Sequence, residues 1–116
     1  MLASCAANGP SSAATDVASV LRALGDPTRL AIAAMLARED GALCVCHLEA
    51  RLPLSQPTIS HHLRVLREAA LVASEKRGTW VYYTLDRLRV AKIEGLAALL
   101  ESVAPIARRR SKACCP

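Results

Sequence analysis

The 116-residue sequence contains no phenylalanine, and Trp80, Tyr82 and Tyr83 are its only aromatic residues. Its core must therefore be built from alanine, leucine and other aliphatic side chains. Alanine and leucine are strong helix formers, so the composition favours closely packed helices in a small domain that completes its core by dimerising. The length allows one domain with a modest core.

The sequence also lacks a long apolar run and a secretion signal. No stretch approaches the roughly 20 apolar residues needed to cross a bilayer, and residues 1–16 contain no basic region followed by an apolar block. We therefore predict a cytoplasmic protein without membrane contact. In that reducing compartment the five cysteines are expected to serve metal, metalloid or redox chemistry rather than structural disulfides.

The net charge of +5 favours an anionic partner such as nucleic acid, and the segment 54–71 offers a surface for it. Ser55 is a suitable N-cap for a helix with Pro57 in its first turn. An apolar stripe then recurs at helical spacing, on Ile59, Leu63 and Leu66. The opposite face carries Gln56, Thr58, Ser60, His61, Arg64 and Arg67.

Short hydrogen-bonding groups followed by cations suit a recognition helix in the major groove, where early residues meet base edges and guanidinium groups meet phosphates. The alternative is an ordinary surface helix with a solvated polar face. The pattern also predicts that one of His61 and His62 faces DNA while the other packs against the domain.

The flanking segments favour the DNA-binding interpretation. A first helix is predicted over 16–24, a second begins at the N-cap Asp26, and a third over 43–52 forms a helix–turn–helix with the recognition helix. Arg29 is a further candidate for a phosphate contact. Two strand-like runs, 71–75 and 79–85, flank a predicted turn at 76–78, whose Lys76 and Arg77 are placed to contact the DNA backbone or minor groove.

A last helix is predicted from the cap Asp86 to about Val103, with a wide apolar stripe that we interpret as a dimer surface beside the first helix. The order of elements predicts a mainly α winged helix–turn–helix with a small β-hairpin, dimeric and without enzymatic activity. We assign residues 1–14 to a mobile tail, 15–105 to the DNA-binding and dimerisation domain, and 106–116 to a basic, cysteine-containing tail.

Four motifs resemble the ArsR/SmtB family of metal- and metalloid-sensing repressors, and the similarity covers roughly residues 17–103. The motifs are LGDPTRL at 24–30, LCVCHL at 43–48, SQPTISHHL at 55–63 and GTWVYY at 78–83. The resemblance implies a homodimer that occupies double-stranded operator DNA and releases it when an inducer binds cysteine thiolates. No organic cofactor is expected.

Thiolates select soft or thiophilic ions, and Cys44 and Cys46 are the main candidate ligands. Two residues apart, they would lie on nearly opposite faces of a regular helix, so both can bind one ion only if this turn is extended or distorted. The best-known arsenite site of the family resembles Cys-Val-Cys-Asp-Leu-Cys. This chain has His47 in place of the aspartate and Glu49 in place of the third cysteine. The third sulfur of a trigonal site must then come from Cys114, Cys115, Cys5 or an exogenous thiol.

We therefore predict a repressor that As(III) or Sb(III) releases from its operator through Cys44, Cys46, Cys114 and Cys115. Use of the N-terminal Cys5 instead resembles the Cd(II)- and Pb(II)-sensing branch, and a thiol redox or persulfide sensor is a further alternative. His47 is predicted to be an exposed residue at a helix start rather than a ligand. Zinc sensing through the last helix is not expected, because the corresponding positions are Asp86, Leu88, Leu99 and Ser102.

Overall fold

The computed structural model describes residues 12–39 and 41–103. Six helices and a three-stranded antiparallel sheet follow in the order predicted for a winged helix–turn–helix. The elements are α1 (Ser12–Leu24), α2 (Pro27–Ala37), β1 (Leu43–Cys44), α3 (Val45–Arg51), α4 (Gln56–Glu68), β2 (Val72–Arg77), β3 (Trp80–Leu85), α5 (Arg87–Ala91) and α6 (Leu96–Ser102). Within these described residues, no helix is both long enough and apolar enough to span a membrane.

Helix α1 begins at Ser12, four residues before the predicted start at Asp16 and inside the segment assigned to the N-terminal tail. Helix α2 begins as predicted, with Pro27 in its first turn. The Asp26 carboxylate accepts the backbone N–H groups of Thr28 at 2.9 Å and Arg29 at 3.1 Å. These bonds satisfy donors that the first turn of a helix leaves without a partner.

The helix predicted after Ser55 is present as α4, and its apolar stripe lies in the core. Ser55 caps it by accepting the backbone N–H of Thr58, while Ile59, Leu63 and Leu66 are buried. These side chains join residues of α2, α3 and β2 in one core cluster. Burial of the stripe fixes the rotation of α4 about its own axis and directs the polar face outward.

The prediction that α3 begins at Leu43 is wrong, because Leu43 and Cys44 form a short strand. They pair with Tyr83 and Tyr82 of β3, which places β3 at the centre of the sheet. Cys44 has the extended backbone angles φ −90° and ψ 167° and is the N-cap residue of α3. Pairing with a distant strand therefore overrides the helical periodicity of the local sequence.

The hairpin of β2 and β3 forms the wing, but its turn lies further along the chain than predicted. Arg77 pairs with Trp80, so the turn consists of Gly78 and Thr79 while Lys76 and Arg77 belong to β2. Gly78 has φ +64°, a left-handed conformation that glycine adopts without steric cost. The two basic residues remain next to the tip of the wing.

The single last helix predicted from Asp86 to Val103 is also wrong, since it is divided into α5 and α6. Asp86 caps α5 as predicted, accepting the backbone N–H of Arg89 at 3.1 Å. Gly95 then adopts φ +83° and is the N-cap residue of α6. Leu96 and Leu100 are buried, whereas Leu99 remains 55% exposed.

Two arginines attach this C-terminal part to the end of α2. Arg87 donates to the carbonyl oxygens of Leu36, Ala37 and Glu39 at 2.7 to 3.3 Å, and Arg38 donates to those of Glu101 and Val103. Carbonyls at a helix C-terminus lack helical partners, and cations there are favoured.

The Asp26 cap predicts a pH dependence of stability. Hydrogen bonding from the backbone of Arg29, aided by that of Thr28 and opposed by desolvation, holds the pKa of this carboxyl below its usual value of 3.8. Because the folded-state pKa is depressed, the stabilisation is present above about pH 3.8 and is lost as the pH falls through the folded-state pKa. We expect Asp26→Asn to remove this part of the acid sensitivity in urea titrations at a series of pH values. If the stability of Asp26→Asn falls with pH as steeply as that of the wild-type protein, this prediction is wrong.

Candidate nucleic-acid interface and metal centre

The exposed face of α4 presents the residues predicted to read DNA. Gln56, Thr58, His61, Arg64 and Arg67 are exposed, and Ser60 is half-buried. Lys76 and Arg77 of the wing are exposed as well. The fold thus brings all eight predicted DNA-binding residues to α4 and to the tip of the hairpin that follows it.

Several of these cations are held by neighbouring side chains. A guanidinium nitrogen of Arg64 lies 3.2 Å from Nδ1 of His61, and Arg67 donates to the hydroxyl of Ser74 at 3.3 Å, which links α4 to β2. Arg77 lies 4.5 Å from the ring centroid of Tyr82 and forms a 3.0 Å ion pair with Glu75. An exposed ion pair of this kind contributes little, so a phosphate can replace Glu75 at small cost.

His62 is half-buried, as predicted for the histidine of α4 that packs against the domain, and His61 is exposed; that His61 faces DNA stays a prediction. Nδ1 of His62 lies 3.2 Å from a guanidinium nitrogen of Arg29, and Nε of the same arginine donates to the carbonyl of Ala23 at 2.7 Å. Arg29 therefore joins the end of α1 to the recognition helix. The phosphate contact considered for Arg29 stays a prediction.

The two central cysteines converge at the start of α3. Cys44 is the extended N-cap residue and only 1% exposed, and Cys46 follows in the first turn and is half-buried. Their Cα atoms are 5.4 Å apart and their sulfurs are joined in a disulfide. Because Cys44 precedes the helix, the extended turn that shared ligation requires is present, and reduction of the disulfide would leave two adjacent thiols.

His47 lies beside this pair, and its predicted exposure is wrong. It is half-buried, and its Nδ1 accepts the backbone N–H of Cys44 at 3.1 Å. The potential ligand atoms of Cys44, Cys46 and His47 all lie within 4.8 Å of one another. Ligation through either ring nitrogen would nevertheless break the bond to Cys44, because Nε2 has a lone pair only when Nδ1 carries the proton.

The described residues thus supply two of the three sulfurs of a trigonal site. Cys5, Cys114 and Cys115 lie outside the described residues. Glu49, at the position of the third cysteine in the family motif, borders the same cleft as Cys44 and Cys46. The zinc alternative finds no support at the C-terminal end, where the Asp86 carboxylate caps α5.

The cleft beside the sulfurs has a volume of about 320 Å³ and is bordered by residues of β1, α3, α4 and β3. Gln56 and Ser60 border it from α4, and Trp80 and Val81 border it from β3. Sequence reasoning missed Trp80 as a site residue because its proximity to Cys46 arises only from the pairing of distant strands. The cleft joins the cysteine site to two of the predicted DNA-reading side chains.

Comparison with known proteins identifies the family of this domain. Residues 26–74 match the family model described as bacterial regulatory protein, arsR family. An HTH-type transcriptional regulator of Methanocaldococcus jannaschii is 47% identical over 76 residues, which are 66% of this chain and 84% of that protein. The chain belongs to the ArsR family. It is therefore a DNA-binding transcriptional repressor rather than an enzyme.

Other relatives of this ArsR-family repressor are named for different ions. The arsenic resistance transcriptional regulator ArsR1 of Pseudomonas putida is 50% identical over 57% of this chain, and the match spans 51% of its own length. A cadmium resistance regulatory protein CadC homologue of Staphylococcus aureus is 44% identical over 67% of this chain and 64% of its own.

The structural comparison confirms the winged helix–turn–helix fold. An ArsR-like transcriptional regulator from Rhodococcus sp. RHA1 superimposes with a TM-score of 0.64 at 32% identity, covering 80% of this chain and 83% of its own.

The exposed arginine of α4 gives a test of the interface. We expect Arg64→Gln to weaken binding to specific and non-specific duplexes alike, because a phosphate contact carries no sequence information. The slope of log K against log salt should become shallower by about 0.9, the contribution of one neutralised phosphate. Fluorescence anisotropy titrations at several salt concentrations measure this slope.

Arg22→Gln on α1 is the matched control, since it removes the same charge from an exposed helix outside the interface. An unchanged salt slope for Arg64→Gln, or an equal change for the control, would show that Arg64 does not contact a DNA phosphate.

Proposed function

We propose that this repressor releases its operator when As(III) or Sb(III) binds the reduced thiolates of Cys44 and Cys46. The observation that carries the proposal is the direct contact between the two sulfurs at the start of α3. Thiolates are the donors that thiophilic ions select. Cys114 and Cys115, or Cys5, stay candidates for the third donor.

The position of the site explains how ion binding reaches the DNA-reading residues. Helix α3 packs against α4 as the first helix of the helix–turn–helix, and the cleft beside the sulfurs is bordered by Gln56 and Ser60. An ion lowers operator affinity only by the amount by which it prefers the DNA-free conformation. Each tenfold loss of affinity requires about 1.4 kcal/mol of that preference.

A three-coordinate ion suits the described donors better than a four-coordinate one. As(III) needs one donor beyond the two sulfurs, whereas a tetrahedral thiolate site, as for cadmium, needs two more. His47 can serve only by breaking its bond to the backbone of Cys44. This difference supports arsenic or antimony over cadmium, although the relatives include regulators named for arsenic and for cadmium.

We propose a homodimer formed through α1 and the C-terminal helices. Arg89 of α5 lies 3.6 Å from Asp16 of α1, so the two helices are neighbours. Four large apolar side chains on these helices are exposed: Val17 by 38%, Leu21 by 54%, Leu88 by 81% and Leu99 by 55%. A second copy of the chain would cover them and would present two recognition helices to operator half-sites about one helical turn apart.

A redox sensor is the second candidate, and the disulfide between Cys44 and Cys46 favours it. The Cα separation of 5.4 Å is within the range that a disulfide bridges without backbone movement. A peroxide or polysulfide would accept two electrons as the two thiols lose their protons and form the sulfur–sulfur bond.

The ion-sensing proposal is tested by DNA release under reducing conditions. We expect arsenite to displace fluorescent promoter DNA from the protein in the presence of a phosphine reductant, which removes no arsenite through a thiol. The double variant Cys44→Ser/Cys46→Ser should bind the same duplex and keep it when arsenite is added. Release from that variant at the wild-type arsenite concentration would place the inducing site elsewhere.

The redox candidate makes the opposite prediction with the same assay. If it holds, a polysulfide or peroxide releases DNA without arsenite, and the phosphine restores binding. We expect no such release from the ion sensor at oxidant concentrations that form the Cys44–Cys46 bond, as measured by mass spectrometry.

A further inference from the structure

Arg29 connects the recognition helix to the end of α1 through two contacts of one guanidinium group. Its Nε donates to the carbonyl oxygen of Ala23 at 2.7 Å, and its Nη1 lies 3.2 Å from Nδ1 of His62. Ala23 is buried, and Arg29 and His62 are both half-buried. Because the planar guanidinium holds its donors in a fixed fork, the two contacts together set how α4 lies against the end of α1.

The chemistry of this contact determines the state of His62. A guanidinium group has N–H donors and no acceptor, so Nδ1 of His62 must accept the hydrogen bond. A histidine with a lone pair on Nδ1 and one ring proton is neutral and carries that proton on Nε2. Protonation of His62 would remove the acceptor and place a second cation 3.2 Å from the guanidinium nitrogen.

Two other titratable groups face His62. Asp26 does so from the cap of α2, where the pKa of its carboxyl is lowered mainly by the backbone N–H of Arg29 and in part by the charge of His62. On α4 itself, the ring centroid of His61 lies 5.6 Å from that of His62. Asp26 attracts an imidazolium at His62, whereas Arg29 and a protonated His61 repel it. With either balance, the bond from Arg29 is lost when His62 is protonated.

The apolar stripe of α4 does not replace this directional contact. Ile59, Leu63 and Leu66 are buried and determine which face of the helix points outward, but aliphatic packing is non-directional. A hydrogen bond has a preferred length and angle, so the bond between Arg29 and His62 limits the small shifts of α4 that the stripe permits. Readout of base edges depends on such geometry, whereas phosphate contacts carry no sequence information.

We propose that Arg29 is a positioning residue for sequence recognition, which acts through neutral His62 on the placement of α4 and not by contact with DNA. Arg29 then contributes to the affinity for the operator but not to the affinity for an arbitrary duplex. Protonation of His62 has the same effect as loss of Arg29, so the preference for the operator falls in acid. This proposal depends on DNA binding by the repressor and is independent of the inducer.

The first test compares binding of the reduced full chain to a promoter duplex and to a duplex of the same length with a scrambled sequence. Arg29→Met removes the donors and keeps an unbranched side chain, and Arg22→Met is the matched control on the exposed face of α1. We expect Arg29→Met to lower the ratio of the two affinities by about threefold to tenfold, the factor for one ordinary hydrogen bond. The control should leave the ratio unchanged.

A phosphate contact by Arg29 would give a different result in the same titrations. Both affinities would then fall by the same factor, and the slope of log K against log salt would become shallower by about 0.9. That outcome, or an unchanged affinity ratio for Arg29→Met, overturns the proposal. Loss of stability in urea without a change of the ratio would show a structural role alone and overturns it too.

His62→Asn tests the contact from the other side and does not depend on the folding of Arg29→Met. The asparagine amide oxygen can accept from Arg29 and does not titrate. Between about pH 8 and about pH 5, the range in which histidine changes its charge, we expect the affinity ratio of the wild type to fall and that of His62→Asn to stay constant. Asp26 keeps its charge throughout, because its pKa lies below 3.8.

His61→Asn is the control for this pH profile, since the contact of its Nδ1 with Arg64 lies within α4 and joins no second element. It should lose preference in acid as the wild type does. A constant ratio in the wild type, a fall that persists in His62→Asn, or a fall that His61→Asn abolishes would each overturn the proposal.

Nitrogen-15 NMR of the histidine rings reports the tautomer directly. We expect His62 of the wild type to carry its proton on Nε2 at about pH 8, where an unperturbed histidine is neutral, and Arg29→Met to show a mixture of both tautomers. A His62 that carries its proton on Nδ1 in the wild type would contradict the contact on which the proposal rests.

Discussion

The pairing of Leu43 and Cys44 with the central strand β3 is the contact on which the sulfur site depends. In a helix beginning at Leu43, side chains two residues apart would point about 200° apart around the axis. The strand instead holds Cys44 extended, opposite Tyr82, and α3 begins one residue later. Backbone pairing between distant segments thereby brings together the sulfurs of two cysteines that are two residues apart.

That same strand connects the sulfurs to both parts of the DNA-binding surface. Tyr82, opposite Cys44, has its ring 4.5 Å from the guanidinium of Arg77 near the wing tip. On the other side, the cleft reaches Gln56 and Ser60 of α4. A ligand bound at the sulfurs could therefore affect the DNA-binding surface in two ways, through the contacts of the sheet or through the residues that border the cleft.

Features with a local cause could be predicted from the sequence, and features with a distant cause could not. The caps Asp26 and Ser55 and the stripe of α4 were correct because each depends on neighbours within a few residues. The division at Gly95 was missed because the apolar spacing continues across it, although a glycine there gave the available signal. Strand β1 and the place of Trp80 depend on tertiary pairing, which periodicity does not contain.

The contacts of Cys44 in the sheet and the residues of α4 at the cleft differ in the free energy needed to disturb them. Cys44 is buried and held by strand pairing and by the bond from its N–H to His47, and leaving such buried groups without partners costs about 1–3 kcal/mol each. Gln56 is an exposed side chain and Ser60 a half-buried one, so a ligand in the cleft displaces them more cheaply. Under the proposed function, an inducer held at Cys44 and Cys46 then acts by crowding the N-terminal half of α4, while the strand that positions the sulfurs stays intact.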